Sequence, residues 1–511
     1  MNSTRIFLAT YLLILFAHIT LIWTLNYIPT QDGPSHIYNL AILRDLLQGG
    51  EIWGKYYTYN LQLSPNLGFQ IFTYPLLSFL DPWQAEKAFL TLYICLMGLS
   101  VPLYLKAFER PAFPVSFFVF PVILNFTLLM GFYSYCIAIP FFLLAFSLAW
   151  ITRYKTILWK ISTHTLCGFF LFCLHLIPFI LYLLALLSIF ATEYLKQRNK
   201  KILSHNVSSL TPLIILLFYY LFTNIQGTAF SFNYLFSLER NLYLLADLVS
   251  FSTIAYYINA HFITMFIFVF LAWTLLVITI KDIFSNKKQG QTFLAPYLFT
   301  ALGLLLIYFI FPFVFAEGAY FNQRFPWVIF LLLLPFIKIS KNNSIYHKSV
   351  AVVFCVILVF IFNVTFIWKH SLIVERYMSG LITPVTRNSL IMNYKKTNLN
   401  TSRMDILLHA VSHYALAKKA VNVLNYEARL DYFPVQFREN LPDVPPTVLI
   451  ELSPCQIDWN RYPDIKLLVA WDIKKDERKN IKRFFDLSFQ QDNLSIWQRS
   501  QNDKSSSHVQ F

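Results

Sequence analysis

The sequence predicts an all-α polytopic membrane domain of about eleven transmembrane helices, followed by a small C-terminal α/β extracytoplasmic domain. Of the 511 residues, 57% are apolar and only 13% are charged, which is about half the charged fraction of a typical soluble protein. Long apolar stretches are the second observation, since Pro111 to Thr152 contains no Asp, Glu, Lys or Arg. A globular core of that length would need a polar surface of its own, so the surrounding medium must be hydrocarbon.

Short clusters of Lys and Arg between the apolar stretches predict which loops face the cytoplasm. The formal charge is +15, but the basic residues form no continuous patch, which argues against nucleic acid as a partner. The N-terminal stretch Ile6 to Tyr27 predicts an uncleaved membrane anchor. Leu67 to Leu80 is apolar but short, and counting it as a span would reverse every later loop, so it predicts a half-buried or juxtamembrane helix. The predicted cytoplasmic clusters are Lys106 and Arg110; Arg153, Lys155 and Lys160; Lys196, Arg198, Lys200 and Lys201; Lys281, Lys287 and Lys288; and Lys338, Lys341 and Lys348.

The domain prediction follows from where the composition changes. Residues 1–369 form the transmembrane domain, with a first outer loop at 29–83, and residues 370–499 form the soluble domain outside the membrane. Residues 370–499 are the tail, and residues 500–511 after it are polar and predict a disordered end of the chain. Five of the six cysteines lie in apolar spans and Cys455 is alone in the tail, which excludes a disulfide framework there. Within the tail, the pattern predicts helices over Met404 to Ala420 and Asp472 to Asp486, and strands over Thr447 to Leu452 and Ile465 to Trp471.

Asp32 and His36 lie a few residues beyond the end of the first span. Gly33 and Pro34 predict a turn that presents the Asp32 carboxylate and the His36 imidazole at the membrane surface. An Asp shortly before a Pro is also a common start of a helix, so a helix cap is an alternative role for Asp32.

The segment Asp32-Gly33-Pro34-Ser35-His36, followed by Gly131-Phe132-Tyr133-Ser134-Tyr135, resembles a bacterial branch of the GT-C superfamily of glycosyltransferases. The tail motifs His409-Ala410-Val411-Ser412-His413-Tyr414, Asn425-Tyr426-Glu427-Ala428 and Tyr432-Phe433-Pro434 are similar to the same branch. Shared layout adds to the likeness: an N-terminal anchor, an acidic first outer loop, many spans and an outer C-terminal domain.

The resemblance implies an enzyme of the cytoplasmic (inner) membrane that takes a sugar from a polyprenyl-phosphate donor. The acceptor would be a cell-envelope glycan, lipid or protein on the extracytoplasmic face. Asp32 would be the catalytic base that removes the proton of the acceptor hydroxyl. Many of these enzymes carry paired acidic residues in the first loop, whereas Gln31 stands beside Asp32 here. The use of a divalent metal ion is therefore left open.

Such a transfer produces an anionic lipid phosphate, which a cation at the outer membrane boundary would stabilise. Arg324 and Arg240 are the candidates, and the alternative for Arg324 is a structural pair with Glu317 or a snorkelling side chain. His175 lies at the break of a tight helical hairpin beside Pro178 and is a candidate to bind a phosphate or a sugar hydroxyl. Its alternative role is to satisfy a carbonyl that the proline exposes.

Aromatic and histidine pairs complete the candidate list. Tyr133 and Tyr135 are candidates to stack against a sugar, but aromatic residues at an interface usually belong to the membrane belt. His409 and His413 are spaced as zinc ligands on a helix, yet no third ligand is evident and a packing or surface role is favoured. The sequence contains no phosphate-binding loop, dinucleotide fingerprint or nucleophile elbow, which argues against an ATP-driven pump or an ordinary hydrolase.

Two other function classes fit the layout. A transporter or flippase for a lipid-linked solute predicts charged residues deep within several spans, whereas most ionisable residues here lie at span ends. A catalytically silent membrane scaffold predicts that loss of Asp32 has no effect.

Overall fold

The computed structural model describes residues 3–224, 235, 237–252, 254, 260–285, 295–314, 319–337, 344–395, 403–438 and 456–500. The chain is mostly helical, with a small sheet in its C-terminal part. It divides into two compact units. The first unit is Met1–Trp23, Leu63–Phe72 and Phe89–Thr365, and the second is Thr24–Gln62, Thr73–Ala88 and Phe366–Phe511. The beginning of the predicted first outer loop thus belongs to the same unit as the tail.

The helices are numbered here in chain order. They are α1 (Ser3–Thr24), α2 (Gly33–Leu47), α3 (Gly68–Thr73), α4 (Pro82–Ala107), α5 (Phe120–Ile123), α6 (Phe126–Leu129), α7 (Tyr133–Ile151), α8 (Ile157–Leu174), α9 (Leu176–Gln197), α10 (Lys200–Ser208), α11 (Thr211–Asn224), α12 (Leu238–Ser250), α13 (Ala260–Ser285), α14 (Pro296–Ile310), α15 (Pro326–Leu333), α16 (Ser344–Met378), α17 (Val411–Lys418) and α18 (Lys475–Ile481).

Several helices have the length and apolar composition of membrane spans. Within the described residues, six are long and apolar enough to cross a bilayer and four further apolar helices are shorter. This architecture is that of a multi-pass membrane protein, while the predicted number of about eleven spans stays a prediction. The six are Arg5–Thr24, Pro82–Ala107, Tyr133–Ile151, Ile157–Leu174, Leu176–Gln197 and Val350–Ile382; the shorter four are Val115–Leu129, Thr211–Thr223, Met265–Lys281 and Pro296–Ile310.

The predicted break at His175 is present, because α8 ends at Leu174 and α9 begins at Leu176. Pro178 lies in the first turn of α9, where the missing backbone N–H removes no helical hydrogen bond. The apolar segment Leu67 to Leu80 forms the six-residue helix α3 and a 3-10 turn at Pro75–Ser78. Both are too short to cross a bilayer, which agrees with its prediction as a non-spanning segment.

Glycines allow close packing between helices of the first unit. A methyl group added at Gly98 would lie 2.6 Å from Leu15, one at Gly168 would lie 2.5 Å from Leu213, and one at Gly303 would lie 2.8 Å from Leu184. Small residues let helix backbones approach closely, which matters in hydrocarbon because dispersion contacts replace the hydrophobic effect there.

The second unit contains two sheets. A five-stranded sheet has the order β3-β2-β5-β7-β6, in which β2 pairs in parallel with β3 and β5, and β7 pairs antiparallel with β5 and β6. Strands β1 and β4 form a separate antiparallel pair that joins the first outer loop to the tail. The strands are β1 (Tyr57–Tyr59), β2 (Leu390–Lys395), β3 (Val421–Asn422), β4 (Val435–Phe437), β5 (Ile465–Trp471), β6 (Phe485–Gln491) and β7 (Leu494–Arg499).

The tail follows its predicted pattern in part. Strand β5 has the predicted bounds of Ile465 to Trp471 and is central in the sheet. The predicted helix Met404 to Ala420 is helical only over α17, since Asp405 accepts a hydrogen bond from Leu407 N (3.3 Å) and holds the preceding residues in a turn. The predicted helix Asp472 to Asp486 is helical only over α18. The predictions for Thr447 to Leu452, Cys455 and residues 501–511 lie outside the described residues.

Candidate active site

Asp32 occupies the position immediately before α2. Its backbone carbonyl accepts hydrogen bonds from Ser35 N (2.9 Å) and His36 N (3.1 Å), which starts the helix. Its side chain makes no capping hydrogen bond to the backbone. The carboxylate instead contacts neighbouring side chains, among them Gln31 and His409, whose Nε2 atoms lie 3.3 and 3.6 Å from its Oδ1. The cap role therefore accounts for the position of Asp32 along the chain but not for the partners of its carboxylate.

His36 lies in the first turn of α2 and pairs with a buried carboxylate from the tail. Its Nδ1 lies 2.9 Å from Oε1 of Glu427, whose side chain is only 1% exposed. Glu427 begins the short 3-10 helix Glu427–Arg429. A buried carboxylate is costly without a charged or hydrogen-bonded partner, so the His36 imidazole stabilises Glu427 in this position.

His409 lies between the Asp32 carboxylate and the ring of Tyr426, whose centroid is 4.7 Å from that of the imidazole. Burial lowers the pKa of His409 to about 3, and the positive charges of His36 and Lys395 act in the same direction. His409 is therefore neutral at neutral pH and carries one N–H. Burial also raises the pKa of Tyr426, and the Asp32 and Glu427 charges add to this effect, so Tyr426 keeps its phenolic proton.

A second set of contacts holds Gln31. Its Oε1 accepts a hydrogen bond from Asp405 N (2.9 Å), which leaves the Nε2 amide group on the Asp32 side. Asp405 in turn forms an ion pair with Lys395 at the end of β2. Burial lowers the pKa of Lys395 to about 8. The tail thus orients Gln31, the residue before Asp32, because the donor is the backbone N–H of Asp405 and has a fixed direction.

Neutral hydrogen bonds fix α2 against the tail residues around β3. Asn39 and Asn425 form a reciprocal amide pair, with Asn39 Nδ2 to Asn425 Oδ1 at 2.9 Å and Asn425 Nδ2 to Asn39 Oδ1 at 2.7 Å. Ser35 Oγ donates to the same Asn425 Oδ1 (3.3 Å), and Tyr38 OH donates to Ala420 O (2.8 Å). All four polar side chains and the carbonyl are buried, so these bonds determine one register of loop and tail.

In the first unit, His175 and Arg324 are in direct contact. His175 Nδ1 accepts the Ile177 N–H (3.1 Å) and thereby caps α9, while its Nε2 lies 3.2 Å from Arg324 Nη1. A neutral imidazole has only one N–H, so an accepting Nδ1 places the hydrogen on Nε2, beside the guanidinium donors. Arg324 also donates to Ala319 O (3.2 Å) and lies over the Phe132 ring, 4.2 Å from its centroid. Adjacent donors in a buried position suit an anion.

The remaining candidates of the first unit have structural partners. Tyr135 OH donates to the Arg324 carbonyl (2.5 Å) and its ring packs on His175, so it supports this pair. Tyr133 is buried against the rings of Phe69 and Phe89.

Arg240 donates to the Phe309 and Phe311 carbonyls, 2.9 and 2.5 Å away, at the C-terminal end of α14. These bonds satisfy carbonyls that a helix end leaves without partners. Glu317, the predicted partner of Arg324, lies outside the described residues.

The spacing of His409 and His413 does not bring the two imidazoles to one ligand. His409 precedes α17 and contacts Asp32, whereas His413 accepts a hydrogen bond from Trp83 Nε1 (3.1 Å) at its Nδ1 and packs against Tyr27. Among the described residues, no group of three or more His, Cys, Asp or Glu side chains is arranged to hold a metal ion.

Sequence reasoning placed Asp32 and His36 on one turn and His175 at a helix break, but it assigned no role to Glu427, Asp405 or Lys395. Glu427 lies in the tail motif Asn425-Tyr426-Glu427-Ala428, and its burial is a property that the local pattern does not show. The structure brings together two groups of candidates. Asp32, His36 and His409 lie in the second unit, and His175, Tyr135 and Arg324 lie in the first.

Comparison with known proteins identifies the fold. The chain is similar in structure to ArnT from Cupriavidus metallidurans, a GT-C glycosyltransferase whose crystal structure contains bound undecaprenyl phosphate. The match has a TM-score of 0.50 and covers 98% of each chain at 9% sequence identity. No protein-family model matches the sequence, and no curated protein matches it. At this identity the likeness concerns the fold, and the predicted GT-C type of fold is confirmed.

Proposed function

We propose that the chain is a membrane glycosyltransferase that moves a sugar from a polyprenyl-phosphate donor to a cell-envelope acceptor on the extracytoplasmic face. The observation that carries the proposal is the GT-C fold over 98% of the chain, combined with a carboxylate at the start of α2 that caps no helix. ArnT binds undecaprenyl phosphate, and the proposed donor belongs to the same class of lipid.

In the proposed reaction Asp32 is the general base. The acceptor oxygen attacks the anomeric carbon of the sugar, its proton moves to the Asp32 carboxylate, and the bond between the anomeric carbon and the phosphate oxygen breaks. The products are the glycosylated acceptor and the free polyprenyl phosphate. The partners of Asp32 suit this role, because the neutral His409 does not compete as a cation for the carboxylate.

The leaving phosphate gains negative charge as the glycosidic bond breaks. Arg324 and the Nε2–H of His175 are the proposed donors to that phosphate, since the guanidinium and the imidazole Nε2 lie side by side in a buried position. The Phe132 ring covers one face of the guanidinium and limits its hydration.

A transfer assay with purified protein in lipid tests the proposal. Wild-type protein supplied with a polyprenyl-phosphate sugar should release polyprenyl phosphate and label the acceptor, and Asp32→Asn should lower the rate by about 100-fold or more. Asp81→Asn is the matched control, because Asp81 accepts a hydrogen bond from Gln84 N at the start of α4 and Asn preserves that bond. Equal rates for Asp32→Asn and wild type would remove Asp32 from the mechanism.

A further inference from the structure

Two carboxylate–imidazole pairs connect the start of α2 with the tail, and each pair takes one residue from each segment. Asp32 of the loop contacts His409 of the tail, and Glu427 of the tail contacts His36 of the loop. The loop supplies the carboxylate of the first pair and the imidazole of the second, and the tail supplies the other member of each pair. The Tyr426 ring packs on His409, and the Asp32 and Glu427 charges both act on its phenol, so one cluster contains both pairs.

We propose that His409 and Glu427 are positioning residues of the Asp32 site, so that the tail completes the active site: His409 orients the Asp32 carboxylate and Glu427 orients His36. This inference rests on the proposed function. It assigns to the tail a direct part in the chemistry, in addition to any role in binding envelope partners.

The geometry of His409 supports the first half of the proposal. Its Nε2 and the Gln31 amide both lie on the Oδ1 side of the carboxylate, at 3.6 and 3.3 Å. The Gln31 hydrogen bond and the imidazole contact on one oxygen restrict rotation of the carboxylate and orient it for proton transfer. A neutral imidazole does this without forming an ion pair that would weaken the base.

The burial of Glu427 supports the second half. Its side chain is 1% exposed, and a structural salt bridge at that depth adds little stability compared with apolar residues of the same volume. Such a pair is better explained by the geometry that it enforces. The contact with Glu427 fixes the position of His36 Nδ1 and therefore the direction in which the Nε2 atom of the same ring points.

Buried neutral hydrogen bonds make the two pairs rigid. The amide pair of Asn39 with Asn425 lies one turn along α2 from Ser35 and two residues before Glu427. Tyr38 and Trp53 both donate to the Ala420 carbonyl. Because these contacts carry no charge, they set the register without altering the protonation of the site.

Titration of Asp32 separates positioning from a merely structural role. His409→Phe keeps the ring packing on Tyr426 but removes the ring nitrogen that contacts Asp32, whereas His409→Gln keeps a polar side chain there. Loss of this contact should move the acid limb of the kcat profile to higher pH by about one unit, so kcat should fall by up to about tenfold at pH values below the wild-type limb, with KM within about twofold. His409→Gln should restore most of the rate. The groups that face Asp32 or its two partners in this titration are Gln31, His36, Lys395, Asp405, Tyr426 and Glu427.

Superimposable pH profiles for His409→Phe and wild type would overturn the role of His409. For Glu427, the comparison is between Glu427→Gln, which keeps a polar side chain of the same size beside His36 Nδ1, and Glu427→Leu, which does not. Glu427→Gln should retain at least about one fifth of the wild-type kcat and Glu427→Leu about one hundredth. Equal rates for the two variants would overturn the role of Glu427.

A chemical measurement decides the pairing without reference to activity. Diethyl pyrocarbonate modifies imidazole nitrogens that it can reach, so the contact of His36 Nδ1 with Glu427 should slow modification of His36. Glu427→Gln should speed modification of His36 several-fold, as measured by mass spectrometry, with the exposed His205 of α10 as the internal control. An unchanged rate would overturn the pairing. A wild-type protein that transfers no sugar would refute the proposed function, and the modification of His36 would still decide whether the tail holds it.

Discussion

At the scale of single residues, Arg324 has surroundings that distinguish it from Arg240. Both guanidinium groups are buried, but that of Arg240 donates to two carbonyls at the end of α14, as a helix cap does. Arg324 lies beside His175, with Phe132 over its face and one carbonyl acceptor at Ala319. Arg324 is for this reason the preferred residue for an anionic group, although both were candidates in the sequence.

Arg324→Lys tests whether the planar guanidinium is needed. Lysine keeps the positive charge but cannot contact both His175 and Ala319 or stack on Phe132, so transfer should fall about 100-fold. The measurement is the initial rate of polyprenyl-phosphate release, with thermal unfolding to show that the variant is folded. Arg110→Lys, at the contact with Tyr297, is the matched control and should leave the rate unchanged. A rate for Arg324→Lys close to that of wild type would mean that charge alone suffices or that Arg324 is not at the site.

At the scale of elements, the break between α8 and α9 combines two roles in one imidazole. His175 Nδ1 caps α9, and the same ring presents Nε2 to Arg324. The alternative predicted from the sequence, a histidine that satisfies a carbonyl exposed by Pro178, is not what the contacts show, since the ring accepts from an N–H.

Two substitutions of His175 distinguish its role as a helix cap from its contact with Arg324. His175→Asn keeps an oxygen that can accept the Ile177 N–H, whereas His175→Ala loses both the cap and the contact with Arg324. Both should lower transfer to a similar extent, but only His175→Ala should lose stability, by about 1 kcal/mol. Thermal unfolding and initial rates measured on the same preparations check this. Full activity of His175→Asn would show that the imidazole acts only as a cap.

At the scale of the whole molecule, topology decides which face carries the chemistry. The positive clusters predict that the tail is extracytoplasmic, and the proposed reaction needs it there. A reporter fused after His370 should show extracytoplasmic activity, and a fusion after Lys155 should show cytoplasmic activity. Cytoplasmic behaviour of the His370 fusion would mean that one predicted crossing is missing or that another is present.

Acid should destabilise the unit that contains the tail. Burial lowers the pKa of His409 and of His413 from 6.5 to about 3. Between these values the unfolded chain binds protons that the folded protein does not, so stability falls as the pH falls from 6.5 towards 3. The midpoint of thermal unfolding should therefore decrease from about pH 7 to about pH 5, and less steeply in His413→Gln, which keeps an acceptor for Trp83. If the midpoint of thermal unfolding fell equally steeply with pH in wild type and in His413→Gln, His413 would not be a buried neutral imidazole.

Much of the architecture follows from local sequence. Apolar length predicts the helices of a membrane protein, the proline at position 178 predicts the break beside His175, and the apolar run Ile465 to Trp471 predicts the central strand. Prediction was weaker for α17, because the Asp405 side chain forms a turn that helical periodicity does not register. Strands β6 and β7 were not predicted, since the polar side chains of β6 hide its alternation.

By itself the sequence indicated a membrane protein with several apolar helices and the helix start that carries Asp32 and His36, because these depend on composition and on neighbours within a few residues. Only the tertiary structure decided which partners those side chains have. Glu427 and His409 reach the loop through strand pairing, buried amide bonds and packing between segments hundreds of residues apart, and no local pattern encodes such contacts. The same physical reason makes Arg324 and His175 partners, since each helix end is predictable but their meeting depends on how the helices pack.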